Sequence, residues 1–155
     1  VTAPALPLAG GCACGAVRFE LREEPRTVYA CHCADCQTQA GSAFSLSAFV
    51  RRAALVVTSG ATRSWRRRAD SGRMMNCVFC PACGTRLWNE PDRAPDLAVL
   101  KPGTLDDTSW IHPVGHVWTA SAQPWIQFPA DTLLYEGQPP DLAALIEAWQ
   151  GRTLR

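Results

Sequence analysis

No stretch of this sequence is long and apolar enough to span a membrane, and no internal repeat is present. Charge is scarce as well: charged residues make up 19% of the chain and the formal net charge is +1. Such a balance supplies no basic field for general nucleic-acid binding. Residues 1–10 carry neither a basic flank nor a long apolar run, so they do not read as a signal peptide, and a cytoplasmic location is expected. No βαβ pattern surrounds any cysteine pair, which argues against thioredoxin-type redox chemistry. The three histidines and the carboxylates have no spacing that marks a general base.

What the chain does have is cysteine, eight in 155 residues. Cys31-His32-Cys33-Ala34-Asp35-Cys36 is the densest stretch. On extended backbone Cys31 and Cys33 share a face, and one further turn returns Cys36 toward them. One short loop can thus offer three sulfurs to a tetrahedral ion and leave its fourth position open, as catalytic zinc sites do. Cys12 and Cys14 upstream, with Cys80 and Cys83 downstream, together supply the four thiolates of a closed structural site. Two zinc ions per chain are expected, the one on Cys31, Cys33 and Cys36 exchangeable. Seven ligating thiolates would shift the net charge by about −3. A disulfide framework is the weaker alternative, because C-x-C pairs cannot easily bridge each other. Cys77 is left over and reads most simply as a buried, unligated thiol.

The hydrophobic fraction of 47% fits one globular domain with a real core, over residues 10–155, preceded by a loose tail at 1–9. Val17, Phe19 and Leu21 alternate with polar residues, as do Phe44, Leu46, Ala48 and Val50, which is the period of half-buried strands. Residues 27–30, 55–58, 97–100 and 114–118 are further strand candidates. Residues 62–67 and 73–79 read as a hairpin around Asp70-Ser71-Gly72. Residues 37–42 look polar and turn-like. A helix capped by Asp141, with Leu142, Leu145, Ile146 and Trp149 on one face, ends at Gly151. The class expected is mainly β with one short C-terminal helix.

Gly11-Cys12-Ala13-Cys14-Gly15, Cys31-His32-Cys33-x2-Cys36-Gln37, Gly41-Ser42-Ala43-Phe44, Phe79-Cys80-Pro81-Ala82-Cys83-Gly84-Thr85, Gly103-Thr104-Leu105-Asp106-Asp107 and His116-Val117-Trp118 occur in that order. Together they resemble the glutathione-dependent formaldehyde-activating (GFA) family, related to centromere protein V. The resemblance implies a β-tent fold of twisted antiparallel sheets. It also implies structural zinc on Cys12, Cys14, Cys80 and Cys83 and active-site zinc on Cys31, Cys33 and Cys36. The activity it implies is that of a carbon–sulfur lyase or synthase joining formaldehyde to glutathione, or to another small thiol, as S-(hydroxymethyl)glutathione. A zinc held by three thiolates is a weak Lewis acid, so it suits thiol binding better than carbonyl polarisation.

Other residues carry two readings each. Gln37, Gly41, Ser42 and Phe44 either line the substrate pocket or form a polar loop with Phe44 in the core. Trp118 and Trp125 either wall the site or belong to the core or an interface. On extended chain His32 would point to the opposite face, so it reads as a support or surface residue before a fourth ligand, and His116 reads as a hydrogen-bonded structural histidine. The arginines between 63 and 73 read first as a solvated hairpin tip. Their functional alternative is recognition of an anion, or a non-catalytic zinc module that binds protein or nucleic acid through this hairpin.

Overall fold

A computed structural model describes residues 4–69 and 72–152, so Asp70 and Ser71 of the expected turn lie outside the described residues. The strands are β1 (Leu8–Gly11), β2 (Arg18–Leu21), β3 (Thr27–Cys31), β4 (Ser45–Arg51), β5 (Leu55–Ser59) and β6 (Arg63–Arg68). They continue as β7 (Met74–Phe79), β8 (Arg86–Pro91), β9 (Leu97–Leu100), β10 (Gly115–Val117) and β11 (Leu133–Tyr135). Two helices, α1 (Ala34–Ala40) and α2 (Ala143–Gln150), complete the elements longer than a single 3₁₀ turn.

The strands form a three-stranded sheet, β1-β2-β5, and an eight-stranded sheet ordered β11-β10-β3-β4-β9-β8-β7-β6. The fold is mainly β, as expected. Pairing is antiparallel except at β10, which runs parallel to both β3 and β11. The chain joins the sheet at Leu8, which is buried, so the tail expected over 1–9 is corrected there: β1 pairs with β2 from Leu8 opposite Leu21.

One apolar cluster draws on both sheets. Phe19, Leu21 and Leu55 of the small sheet join Val50, Leu87, Trp88 and Leu100 of the large one. The Phe19 and Trp88 rings meet edge to face at 6.1 Å. In β8, Leu87, Trp88 and Asn89 are all buried, so this strand lies covered on both faces and shows no alternation. At the opposite extreme β6 is an edge strand whose arginines keep it from pairing further.

α2 lies where the sequence places it. Its start is corrected: Leu142, expected on the helix face, is the N-cap and has no capping side chain, while Asp141 before it accepts from the Ala143 amide at 2.8 Å. Leu145 and Trp149 are buried, and the Thr27 hydroxyl of β3 donates to the Leu145 carbonyl at 2.8 Å. Residues 34–40, by contrast, correct the turn-like reading of 37–42: they form α1, closed by Gly41 at φ 57°. This helix buries no residue, so it carries no apolar stripe to betray it. No helix among the described residues is long and apolar enough to cross a membrane.

Candidate metal centres and active site

Cys12 and Cys14 sit on the turn after β1, and Cys80 and Cys83 on the turn between β7 and β8. Their four sulfurs lie within 4.8 Å of one another. Cys12 and Cys14 Sγ are 3.5 Å apart, and Cys14 and Cys80 Sγ are 3.9 Å apart. Sulfurs about 2.3 Å from a tetrahedral zinc would be separated by about 3.8 Å, so the donor set fits that ion. The Val17 amide donates to Cys12 Sγ at 3.2 Å, and this bond draws the Cys12 thiol below its ordinary range. Thr85, through its hydroxyl and its amide, pushes Cys83 down to about 5. Both contacts favour thiolate, the ligand form.

The second cluster is built by a change of local structure. β3 ends at Cys31, held by Ser45 of β4 on one side and Val117 of β10 on the other. Cys33 is the extended N-cap of α1, where its Sγ accepts from the Cys36 amide at 3.4 Å. The first helical turn then carries Cys36 back over the strand end, and the three sulfurs lie within 4.8 Å of one another. Cys31 and Cys33 Sγ are 3.5 Å apart. Hydrogen bonds from Cys31 and Cys33 push the Cys36 thiol down to about 3, with the charges of Lys101 and Arg86 assisting. Cys31 moves the opposite way, raised by sharing its proton with Cys33 and Cys36. Among the described residues this group comprises three donors, one short of a closed tetrahedron.

These three cysteines line a cavity of about 230 Å³. Tyr29, Phe49, Val99 and Trp118 give it apolar walls, and Arg67 and Lys101 bring positive charge. Burial, reinforced by the neighbouring Cys31, raises the Tyr29 phenol well above its usual range, so it stays protonated. Lys101 is 9% exposed, and burial pushes its ammonium down to about 8. The expected solvated tip is corrected at Arg67: its side chain is 9% exposed and donates to Asp35 Oδ2 at 2.7 Å, tying β6 to α1.

The sequence matches the family described as "Glutathione-dependent formaldehyde-activating enzyme" over residues 7–121, well over half its length. The chain belongs to the GFA family. A crystal structure of a Rhodobacter sphaeroides protein is similar in fold, with a TM-score of 0.53 and 21% identity. That likeness covers 66% of this chain and 91% of the other. No curated protein matches significantly.

In this GFA chain the residues after the three-cysteine loop stand outside that cavity. Gln37 clips the loop, its Nε2 donating to the carbonyls of His32 at 2.7 Å and Ser121 at 2.8 Å. Gly41 ends α1, Ser42 donates its amide to the Gln37 carbonyl at 3.2 Å, and the Phe44 ring packs against His32 with centroids 5.3 Å apart. His32 is fully buried on the face opposite the ligands, with Nε2 3.0 Å from His116 Nδ1 and Phe128 edge-on at 5.5 Å. Burial lowers the pKa of both imidazoles. The pair thus supports the loop from behind. Trp118 walls the cavity with backbone φ 60°, whereas Trp125 is exposed and does not line it. Cys77 is buried outside both clusters, near Gln39 Oε1 at 3.9 Å. All eight cysteines are free in this structure, and seven of them gather in the two clusters.

Sequence reasoning missed Tyr29 and Lys101. Lys101 did leave a signal: it is the single lysine of the chain, and it directly follows the apolar run Leu97-Ala98-Val99-Leu100. A charged residue at the end of a buried strand is informative, because lysine is almost never fully buried unless paired.

Proposed function

We propose that this chain is a zinc enzyme that binds a small thiol, glutathione in the first instance, at Cys31, Cys33 and Cys36. The reaction it would serve is addition of that thiol to formaldehyde. One C–S bond forms, the carbonyl π bond breaks, and the thiol proton ends on the former carbonyl oxygen, giving S-(hydroxymethyl)glutathione. The supporting observation is the incomplete tetrahedron: three convergent sulfurs, without a fourth protein donor among the described residues, opening into a walled cavity.

Zinc would supply one open coordination position and a charge that favours thiolate over thiol at neutral pH. Cys31, Cys33 and Cys36 would hold it, while Cys12, Cys14, Cys80 and Cys83 would hold a second, structural ion. Tyr29, Phe49 and Val99 exclude water from the incoming thiol, and the protonated Tyr29 phenol adds no competing negative charge. A role as a non-catalytic module acting through β6 is less well supported, because Arg67 turns inward and Arg66 is already paired with Asp92.

The test is a titration of cobalt-substituted protein with glutathione. A fourth sulfur should change the ligand-field absorption of the wild type, and Cys33→Ser should remain folded but show no change. Adduct formation should also exceed the spontaneous rate, followed by NMR. A wild-type spectrum unmoved by any small thiol would overturn the reading.

A further inference from the structure

The cavity beside Cys31, Cys33 and Cys36 contains a buried lysine that no carboxylate among the described residues pairs with. Lys101 is 9% exposed. Its backbone is anchored: the amide donates to the Leu87 carbonyl at 2.8 Å, and the carbonyl accepts from the Thr104 hydroxyl at 2.7 Å. The side chain therefore starts from a fixed point at the end of β9. Among the described residues its ammonium has no carboxylate or hydrogen-bond partner, whereas Arg67 has Asp35, Arg52 has Glu90 and Arg66 has Asp92. Buried charge without a counter-ion is costly and is found where something else supplies the partner.

The three thiols are the nearest source of negative charge, and a bound metal changes their contribution. Three thiolates with a divalent ion leave a net charge of about −1. Two cations face that charge, the buried Lys101 and the half-buried Arg86, whose own positive charges repel each other. A thiolate at the open position would bring the centre to about −2 and balance these two cations, so what marks Lys101 is that no carboxylate among the described residues holds its ammonium. Lys101 also lines a second, more open cavity of about 430 Å³ together with Arg86, Ser45 and Gly103. It thus stands in the wall shared by the thiol site and a wider space into which a substrate could extend.

We propose that Lys101 is the specificity residue of this site and that the thiol it selects carries a carboxylate. This rests on the reading that a thiol binds at the three-cysteine centre, and adds that a neutral thiol is a poor ligand. One charge-assisted hydrogen bond in a partly desolvated site corresponds to roughly tenfold or more in affinity.

The experiment uses full-length cobalt-substituted protein, titrated with 3-mercaptopropionate and with 3-mercapto-1-propanol, which differ only in the terminal group. Wild type should bind the acid at least about tenfold more tightly. Lys101→Met should lose that preference and bind the alcohol as wild type does, and Lys101→Arg should recover part of it. Equal affinities in wild type overturn the proposal, and this arm needs no variant to fold. A Lys101→Met that weakens both ligands by one factor also overturns it, since Lys101 would then act only on the metal thiolates. Propionate, followed by ligand-observed NMR, separates the two readings. If neither thiol moves the spectrum but propionate binds wild type and not Lys101→Met, the carboxylate site stands and thiol ligation falls. If propionate does not bind either, both fall.

Discussion

Replacing Cys80 by serine should remove the ion that joins two distant parts of the chain. Cys80 is fully buried, and the cluster ties Cys12 and Cys14, on the turn after β1, to a turn 66 residues further on. In small zinc peptides, structural metal contributes on the order of 10 kcal/mol at neutral pH. A domain is stable by only about 5–15 kcal/mol in total, so the whole of that figure would unfold it. Two features reduce the loss. Cys14 and Cys83 are exposed, so water competes at the site, and the Phe19–Trp88 contact still holds the two sheets together. Half the peptide figure, about 5 kcal/mol, corresponds to a fall in Tm of about 10–20 °C at this size.

Calorimetry of Cys80→Ser beside Cys77→Ala makes the comparison, with metal content measured on both. Cys77 is as buried as its neighbours but belongs to neither cluster, so its loss should cost much less and leave the metal in place. Chelator-stripped wild type should melt with Cys80→Ser. If Cys80→Ser keeps its metal and its Tm, or if Cys77→Ala is equally damaging, the four-cysteine assignment is wrong.

Burial alone would raise the Glu90 carboxyl, but hydrogen bonds from Trp88, Arg52 and Asn76 outweigh it and hold its pKa below the ordinary 4.5. Its stabilisation is therefore present above about pH 4.5 and is lost as pH falls through the folded value. Glu90→Gln should cost about 1 kcal/mol at pH 7, after discounting for its partial exposure, and nothing in acid, as read by urea melts. Gly60 has φ 78°, and an added Cβ would lie 1.9 Å from the Ala16 carbonyl oxygen, so Gly60→Ala should cost at least about 2 kcal/mol in the same melts. Trp149→Ala, which empties the buried face of α2, should cost about 3–5 kcal/mol, and native hydrogen exchange should show faster exchange at β3.

Local rules carried far in this sequence. Cysteines two or three apart have their relative geometry set within a few residues, so the three-cysteine loop and each half of the four-cysteine cluster could be read without coordinates, whereas the meeting of Cys14 with Cys80, 66 residues apart, is a product of the fold. The strands β2, β4 and β9 and the helix α2 were legible because each buries one face or forms a short apolar run whose ends are marked. β8 was not, because Leu87, Trp88 and Asn89 are buried on both faces and erase the period. α1 was not, because it buries nothing and exists through the Cys33 cap and the Gln37 clip, both of which depend on the folded loop. The inward turn of Arg67 and the unmatched charge of Lys101 were decided by the tertiary structure alone. Neither property belongs to its own strand: Arg67 is drawn in by a carboxylate on α1, and Lys101 is buried by walls that β3, β4 and β9 assemble around the thiols. Sequence spacing determined where metal can be held; long-range packing determined that the space beside it is positively charged.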